Sequence, residues 1–269
     1  MRGISARSLA RVIERVDQEV DGGADAGQLG DELFAIVALL DGQPGLRRIL
    51  TDPSTDTSAQ EGLARKILSD KVGTSTLDVL GVAVDGRWSS ARDLPDGLER
   101  AGVNAHVAAA EKEGQLDALE DELFRFGRVV AGDHELRRVI TDRTVPVAPK
   151  QALVETLLSG KATAPALALV QQAVVARTSS FRRTLDVFSD MAAARRERLL
   201  ATVRAAYLLD ESERERLAAA LGSKYGQEVH VNVIVDESVI GGLSVEIGDE
   251  IIDGTVASRL EDARRRMAG

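Results

Sequence analysis

The chain has 269 residues, enough for two or three compact units. A formal net charge of −9 and a pI near 5.0 argue against a nucleic-acid partner. Cysteine is absent, which excludes a disulfide framework, a thiol nucleophile and thiolate metal sites. Aromatics make up only 3% of the residues, so a core must be built from Leu, Val, Ile and Ala, a composition suited to helix-on-helix packing.

The first segment, MRGISARSLARVIERV, is basic and amphipathic but lacks the apolar core of a signal peptide. Leu9, Val12, Ile13, Val16 and Val20 continue one helical face, which predicts a structural first helix. Leu29, Leu33, Ile36, Val37 and Leu40 predict a second. The run Phe34 to Leu40 within it covers only two turns, too short to span a bilayer. Pro44 is placed to open a short third helix. Ser58 with Glu61 reads as a capping box ahead of Leu63, Ile67 and Leu68. Leu77, Leu80 and Val84 mark a further helix that Gly86 ends, and Leu94-Pro95-Asp96-Gly97 reads as a linker.

The next stretch repeats the first. Asp31-Glu32-Leu33-Phe34 recurs as Asp121-Glu122-Leu123-Phe124, and Leu46-Arg47-Arg48-Ile49-Leu50-Thr51-Asp52 as Leu136-Arg137-Arg138-Val139-Ile140-Thr141-Asp142, both 90 residues later. Leu63, Leu68, Lys71 and Leu77 pair with Leu153, Leu158, Lys161 and Leu167 in the same register, as do Arg87 and Ser89-Ser90 with Arg177 and Ser179-Ser180. One ungapped register of this length indicates tandem duplication of a helical unit. In the second copy Pro149 is expected to start a helix, and Thr163-Ala164-Pro165 to open the next. The expectation is a mainly α protein, with two tandem bundles of five to six helices each at residues 1–95 and 96–195. A small α+β domain follows at 196–269. Trp88 aligns with Thr178 and reads as a copy-specific packing or contact residue.

In that last part Ala201, Val203, Ala205 and Tyr207 alternate as a strand. Asp210 with Glu213 caps a helix bearing Leu217, Leu221 and Tyr225, closed by Gly226. Val229, Val231, Val233 and Val235 lie on one face of a second strand, and Leu243, Val245 and Ile247 on one face of a third. Gly241-Gly242 marks a bulge or a close backbone approach between them. Gly248-Asp249 reads as a turn, and Asp253-Gly254-Thr255 as turn and N-cap of a final helix with Val256, Leu260, Ala263 and Met267.

No catalytic constellation emerges. His106, His134 and His230 are scattered, outside any HExxH pattern and away from a plausible nucleophile, and read as structural. Gly160-Lys161 lacks the earlier glycine and the following hydroxyl residue of a phosphate loop. Asp249, Glu250 and Asp253 surround a turn without EF-hand spacing. The expectation is no catalytic residue, no cofactor and no metal. Arg195-Arg196-Glu197-Arg198 and Arg264-Arg265-Arg266 read as solvated or dipole-compensating, or as pairing with acidic faces of a partner helix.

The segment from Val229 onward resembles the C-terminal signature of the delta subunit of F-type ATP synthases, whose mitochondrial relative is the oligomycin-sensitivity-conferring protein. Val229, Val231, Val235 and Val239 match its aliphatic positions, Asp236 its polar turn, and Gly241-Gly242-Leu243, Val245, Glu246 and Gly248 its core, followed by Ile251 to Glu261 with Gly254. The resemblance implies a non-catalytic subunit of the peripheral stalk of a proton-translocating rotary ATP synthase. Such a subunit sits peripherally on the cytoplasmic face of the cell membrane and resists rotor torque. It also implies the partners: N-terminal segments of the alpha subunits of the catalytic head at the helical bundle, and membrane-anchored b subunits at the C-terminal domain. Copy two becomes the counterpart of the family's ordinary bundle, and copy one an addition with precedent among longer members. The family's groove between first and fifth helices maps onto Val103, Val107, Leu167, Val170 and Val174, and the signature residues become the b-facing set. Two other readings stay open on the residues alone: a duplicated helical adaptor unrelated to ATP synthase, and an enzyme with a helical regulatory region.

Overall fold

The computed structural model describes residues 3–255 except 176, 199, 208, 226–228, 237–238, 240 and 248–249, and only the backbone at 197, 198, 200, 211, 225 and 230. Twelve helices and four strands lie among these described residues. In the first copy they are α1 (Ile4–Asp21), α2 (Ala26–Gly42), α3 (Pro44–Leu50), α4 (Thr57–Leu68) and α5 (Thr74–Asp85). Then come α6 (Asp93–Lys112), α7 (Leu116–Gly132), α8 (His134–Thr141), α9 (Val147–Leu158), α10 (Ala164–Ala173) and α11 (Phe181–Arg198). The remainder is β1 (Leu200–Ala205), α12 (Glu211–Tyr225), β2 (His230–Val235), β3 (Leu243–Ile247) and β4 (Glu250–Asp253). Contacts divide the chain into two compact units, Met1–Ala192 and Ala193–Gly269.

Within the first unit the 90-residue period is structural. Helices α2 and α7, and α4 and α9, begin and end one period apart, and α6 stands one period after α1. The bonds that tie the loops repeat with them. Glu32 accepts hydrogen bonds from the Gly73 amide and the Thr76 hydroxyl, while Glu122 accepts from the Thr163 amide and hydroxyl, in both cases joining the second helix of a copy to the start of the fifth. Asp52 accepts from the amide and hydroxyl of Ser54, and Asp142 from those of Thr144. Such Asx-type turns give the loop amides a partner that the helices do not supply.

The residues expected to form a linker instead form the first turn of α6, where Leu94 and Leu98 are fully buried. Pro95 sits in that turn, where its missing N–H costs nothing. The break expected at 95/96 therefore falls inside a helix. Leu94, Leu98, Ala101, Ala105 and Ala108 of α6 belong to the same core as Val12 and Val16 of α1 and Leu33 and Ile36 of α2. The same helix packs against α7 and α10. One helix thus completes the first copy and opens the second, and the period contains five helices.

Helices α2 and α6 form the most extensive helix pair, and glycines set its closeness. A Cβ on Gly30 would lie 2.5 Å from the His106 ring, and one on Gly102 would lie 2.6 Å from the Phe34 ring. The two rings, each facing the other's glycine, stack with centroids 5.3 Å apart. Trp88 covers Gly97 of α6 and donates its indole N–H to the Ala83 carbonyl, so it is a packing residue.

Four local details differ from the sequence reading, the first being that the strand expected to run through Tyr207 ends at Ala205. Helix α4 starts at Thr57, with Ser58 inside its first turn donating to the Asp56 carboxylate, so no capping box forms with Glu61. Helix α9 starts at Val147, with Pro146 as its N-cap and Pro149 already in the first turn. In the C-terminal unit Glu250–Asp253 is a strand, because Val245 and Ile247 of β3 need an antiparallel neighbour, found in Ile252 and Glu250.

The sheet of this unit has the order β2-β1-β3-β4, with β1 and β2 parallel and the other pairs antiparallel. Its core face carries Ala201, Val203 and Ala205 on β1 with Val245 and Ile247 on β3, packed with Leu209, Leu217 and Leu221 around α12. Asp210 and Glu213 cap α12 reciprocally, each side chain accepting the other's backbone N–H. Gly242 adopts φ 83° and brings its Cα so near the Gly254 carbonyl that a Cβ would sit 2.5 Å from that oxygen, the close backbone approach read from the glycine pair. The turn at 248–249, the C′ position at 226 and the final helix lie outside the described residues.

Candidate functional site

The five residues expected to line a groove are mostly core. Val103, Val107, Val170 and Val174 are at most 1% exposed, and Leu167 is half-buried. Helix α6 packs on several sides, so hydrophobicity around most of its circumference signals burial between two copies and not an open face. A side chain this enclosed reaches no other protein without unpacking its own.

An open concave surface of the helical unit lies elsewhere, between α2 of the first copy and α9 and α10 of the second. One cavity of about 450 Å³ is lined by Phe34, Ala35 and Ala38 of α2 and by Val147, Ala168 and Gln172 opposite, with Arg177 at one end. A second, of about 360 Å³, shares Asp31 and Ala168 with the first and continues to Asp25, His106 and Lys112.

Arg177 closes one end of this cleft. Its side chain is 7% exposed and meets three carboxylates, Asp41 at the end of α2 and Asp96 and Glu99 on α6, the last at 2.9 Å. Burial lowers the pKa of the guanidinium, but its bond with Asp41 and the charges of Glu99, Asp41 and Asp96 more than reverse this and raise it. Burial raises Asp96, and Arg177 only partly offsets that. The two shifts point to different balances because one cation is divided among three anions. The sharing fixes where α2 sits relative to the second copy and leaves little of the charge for a visitor.

At the other end the His106 ring is 3% exposed. Its Nε2 lies 3.3 Å from Asp31 Oδ1, yet the approach makes no hydrogen bond and the nitrogen has no partner. Lys112 donates to the Val20 carbonyl. The sequence signal for this cleft was present but indirect. Arg11, Arg15, Asp78 and Asp85 of the first copy correspond, one period on, to Ala101, Ala105, Ala168 and Val175. The seam that is charged in the first copy is apolar in the second, with Ala101 and Ala105 buried and Ala168 and Val175 partly buried.

The C-terminal signature residues separate by burial. Val229 and Val245 are core, whereas Val231, Val239, Asp236, Gly241, Leu243 and Gly254 are partly buried. Val235, Gly242 and Glu246 are exposed, and Gly248 lies outside the described residues. Tyr207, read only as a strand residue, Ile251, read only as the start of the terminal signature segment, and Ile234, not named, are 56%, 67% and 43% exposed. Ile234 and Ile251 lie on the sheet face opposite the core, with Glu246 and Arg204.

Comparison with known proteins now bears on this arrangement. Residues 103–267 match the family model described as ATP synthase delta (OSCP) subunit. The chain belongs to that family. "ATP synthase subunit delta" of Streptomyces griseus is 44% identical over 271 residues, covering all of both chains. The protein of the same name from Kineococcus radiotolerans is 44% identical over 99% of this chain and 98% of its own, and that from Thermobifida fusca 43% over 100% of each. A chain of the Toxoplasma gondii mitochondrial ATP synthase hexamer aligns at 14% identity and TM-score 0.32, covering 62% of this chain and 95% of that one. The delta/OSCP family model begins in the middle of α6 and takes in the second copy and the C-terminal unit. The first copy precedes it, and these delta relatives share that copy along their whole length.

Proposed function

We propose that the protein is a non-catalytic stator subunit of the peripheral stalk of a rotary, proton-translocating ATP synthase. Its helical unit binds N-terminal segments of the alpha subunits at the catalytic head, and its C-terminal unit binds the membrane-anchored b subunits. The observation that carries this reading is end-to-end similarity to delta subunits at 44% identity. In this reading attachment to the membrane sector runs through other subunits on its cytoplasmic face; no helix among the described residues is long and apolar enough to cross a membrane.

The physical task is to hold two bodies against torque. A stator acts through contacts that outlast each rotor step, and several modest attachments on one chain raise effective concentration without any single tight site. The buried Arg177 cluster and the shared helix α6 make the helical unit a single block, suited to carrying load. On the C-terminal unit, Tyr207, Ile234 and Ile251 with Glu246 offer apolar anchors beside charge, suited to a b helix.

The test is co-purification and coupling. Tagged full-length chain is expected to bring down alpha, beta and b subunits, and membranes stripped of it to lose ATP-driven proton pumping that added protein restores. Truncation from Glu228 onward should abolish b retention while alpha retention survives. Restored pumping without the added chain, or b retention by the truncated one, contradicts the proposal.

A further inference from the structure

We propose that the cleft between α2 and α10 is a docking groove for a basic amphipathic helix of a partner chain. For the origin of that helix the assignment rests on the stator reading; for its chemistry it rests on the cleft. Helix α2 has 17 residues and is therefore about 25 Å long. The two cavities of about 450 and 360 Å³ lie side by side along it, joined at Asp31 and Ala168. Residues seven apart on a helix are about 10 Å apart and share a face, so two apolar anchors at that spacing fill neighbouring cavities. The floor is small and apolar, with Ala35 and Ala38 exposed on α2, Ala168 opposite and Val147 37% exposed at the edge. Small residues let a visiting backbone approach closely, and Phe34 and Val147 supply larger contact surface.

The sign of the visitor's charge follows from which rim charges are already committed. Arg177 is shared among three carboxylates, and the Lys112 ammonium is engaged by the Val20 carbonyl. Asp25, Asp31 and Glu113 line the far end, and the Asp31 side chain is 70% exposed. Acidic charge therefore exceeds basic charge there, and Lys or Arg side chains flanking the apolar stripe complement it. The second observation is His106, a residue of the same cavity's lining, whose buried Nε2 has no hydrogen-bond partner. A buried polar atom left unpaired is costly, and a polar or cationic group docked against Asp31 reaches this spot.

The probe is a synthetic 18-residue helix with Leu and Ala on one face and Lys on the flanks, and a twin with Glu for Lys, titrated by fluorescence anisotropy against the full-length chain. The Lys peptide is expected to bind and its Glu twin to bind at least about tenfold more weakly. Ala38→Trp and Ala168→Trp each fill the groove and should weaken the Lys peptide about tenfold or more, as should Asp31→Lys, with unchanged thermal midpoints. Phe124→Ser, at a surface residue outside the cleft, should leave binding as it was. If one Trp variant lowers the midpoint, the other carries the result. Absence of peptide binding, equal binding of both peptides, full binding by both Trp variants, or a dimer of this chain that Ala38→Trp dissolves would each overturn the assignment. Wild-type chain that brings down alpha and b, with both Trp variants doing so equally, removes the groove and leaves the stator reading intact. Wild-type chain that brings down neither removes the stator reading, while peptide binding still decides the groove.

Discussion

The two copies of the helical unit share their register, helix boundaries and loop bonds, yet use the seam between first and fifth helices in opposite ways. In the first copy Arg11 pairs with Asp85 and Arg15 with Asp78, bridging α1 and α5. In the second copy alanines stand at the matching positions of α6, and Ala101 and Ala105 are fully buried in the core shared with α2. The backbone template is the same; the neighbour is different. An ion-paired seam tolerates water and contributes little stability, whereas an apolar one needs cover. The two copies therefore differ at the facing surface residues of their first and fifth helices, while the internal framework is the same.

That comparison is sharpest at Arg177 and its counterpart Arg87. Arg177→Ala leaves Asp96 and Glu99 without their cation and Asp41 with Arg47 alone, and is expected to cost about 3 kcal/mol in denaturant unfolding, Asp41 and Asp96 being still partly hydrated. Arg87→Ala, at an exposed position, should stay within about 0.5 kcal/mol. Equal losses would show that the two copies are held in the same way. Next in size is Gly30→Ala, which drives a methyl into the His106 ring and should cost about 2 kcal/mol. At the corresponding position the second copy has Glu120, so Glu120→Ala should cost much less.

Where the copies agree, effects should agree. Glu32→Gln and Glu122→Gln each weaken a charge-assisted tie to the fifth helix and should each cost about 1 kcal/mol in thermal or urea unfolding. For Glu32 burial raises the pKa, but bonds from Thr76, Gln28 and the Gly73 amide outweigh it, so the folded value lies below the ordinary 4.5. The resulting stability is present above pH 4.5 and is lost as pH falls through the lower folded value. The wild type should therefore lose its advantage over Glu32→Gln on acidification, and a gap that widens toward acid reverses the argument.

The smallest effect concerns Lys150. Its counterpart Gln60 donates to the carbonyls of Ile49 and Asp52, at 2.8 and 2.9 Å. Lys150 is 5% exposed and close enough to Asp142 to lower that carboxyl further, although Thr144 is the main cause. Lys150→Gln should let the second copy form the same pair of amide bonds and stabilise it by about 0.5–1 kcal/mol. A lower thermal midpoint would mean that Lys150 fits its site better than the glutamine found at the matching position of the first copy.

Much of this was legible in the sequence, for physical reasons. The period emerged because loop ties such as Asp52 and Glu32 tolerate few alternatives. The C-terminal strands emerged because alternation is strict where one face is buried. Strand β4 was missed because four residues running into Asp253-Gly254 carry more turn signal than strand signal. The joint at 95/96 was misplaced because Pro95 and Gly97, with only Asp96 between them, read as a break. Here the proline takes the one helical turn that accepts it, and Gly97 is covered by Trp88. The groove residues were misassigned because periodicity identifies apolar faces without saying which neighbour covers them. Only the replacement of charge by alanine between copies pointed to the cleft, and that signal gains meaning once α2 is seen beside α10.

Because α6 serves as the last element of one copy and the first of the next, the chain lengthens in steps of five helices and not six. A gene could gain or shed ninety codons without leaving an orphaned end, since every excision at that spacing returns a helix of the same kind to the cut. Growth by this route introduces no loop at the joint, because the splice runs through the middle of a helix.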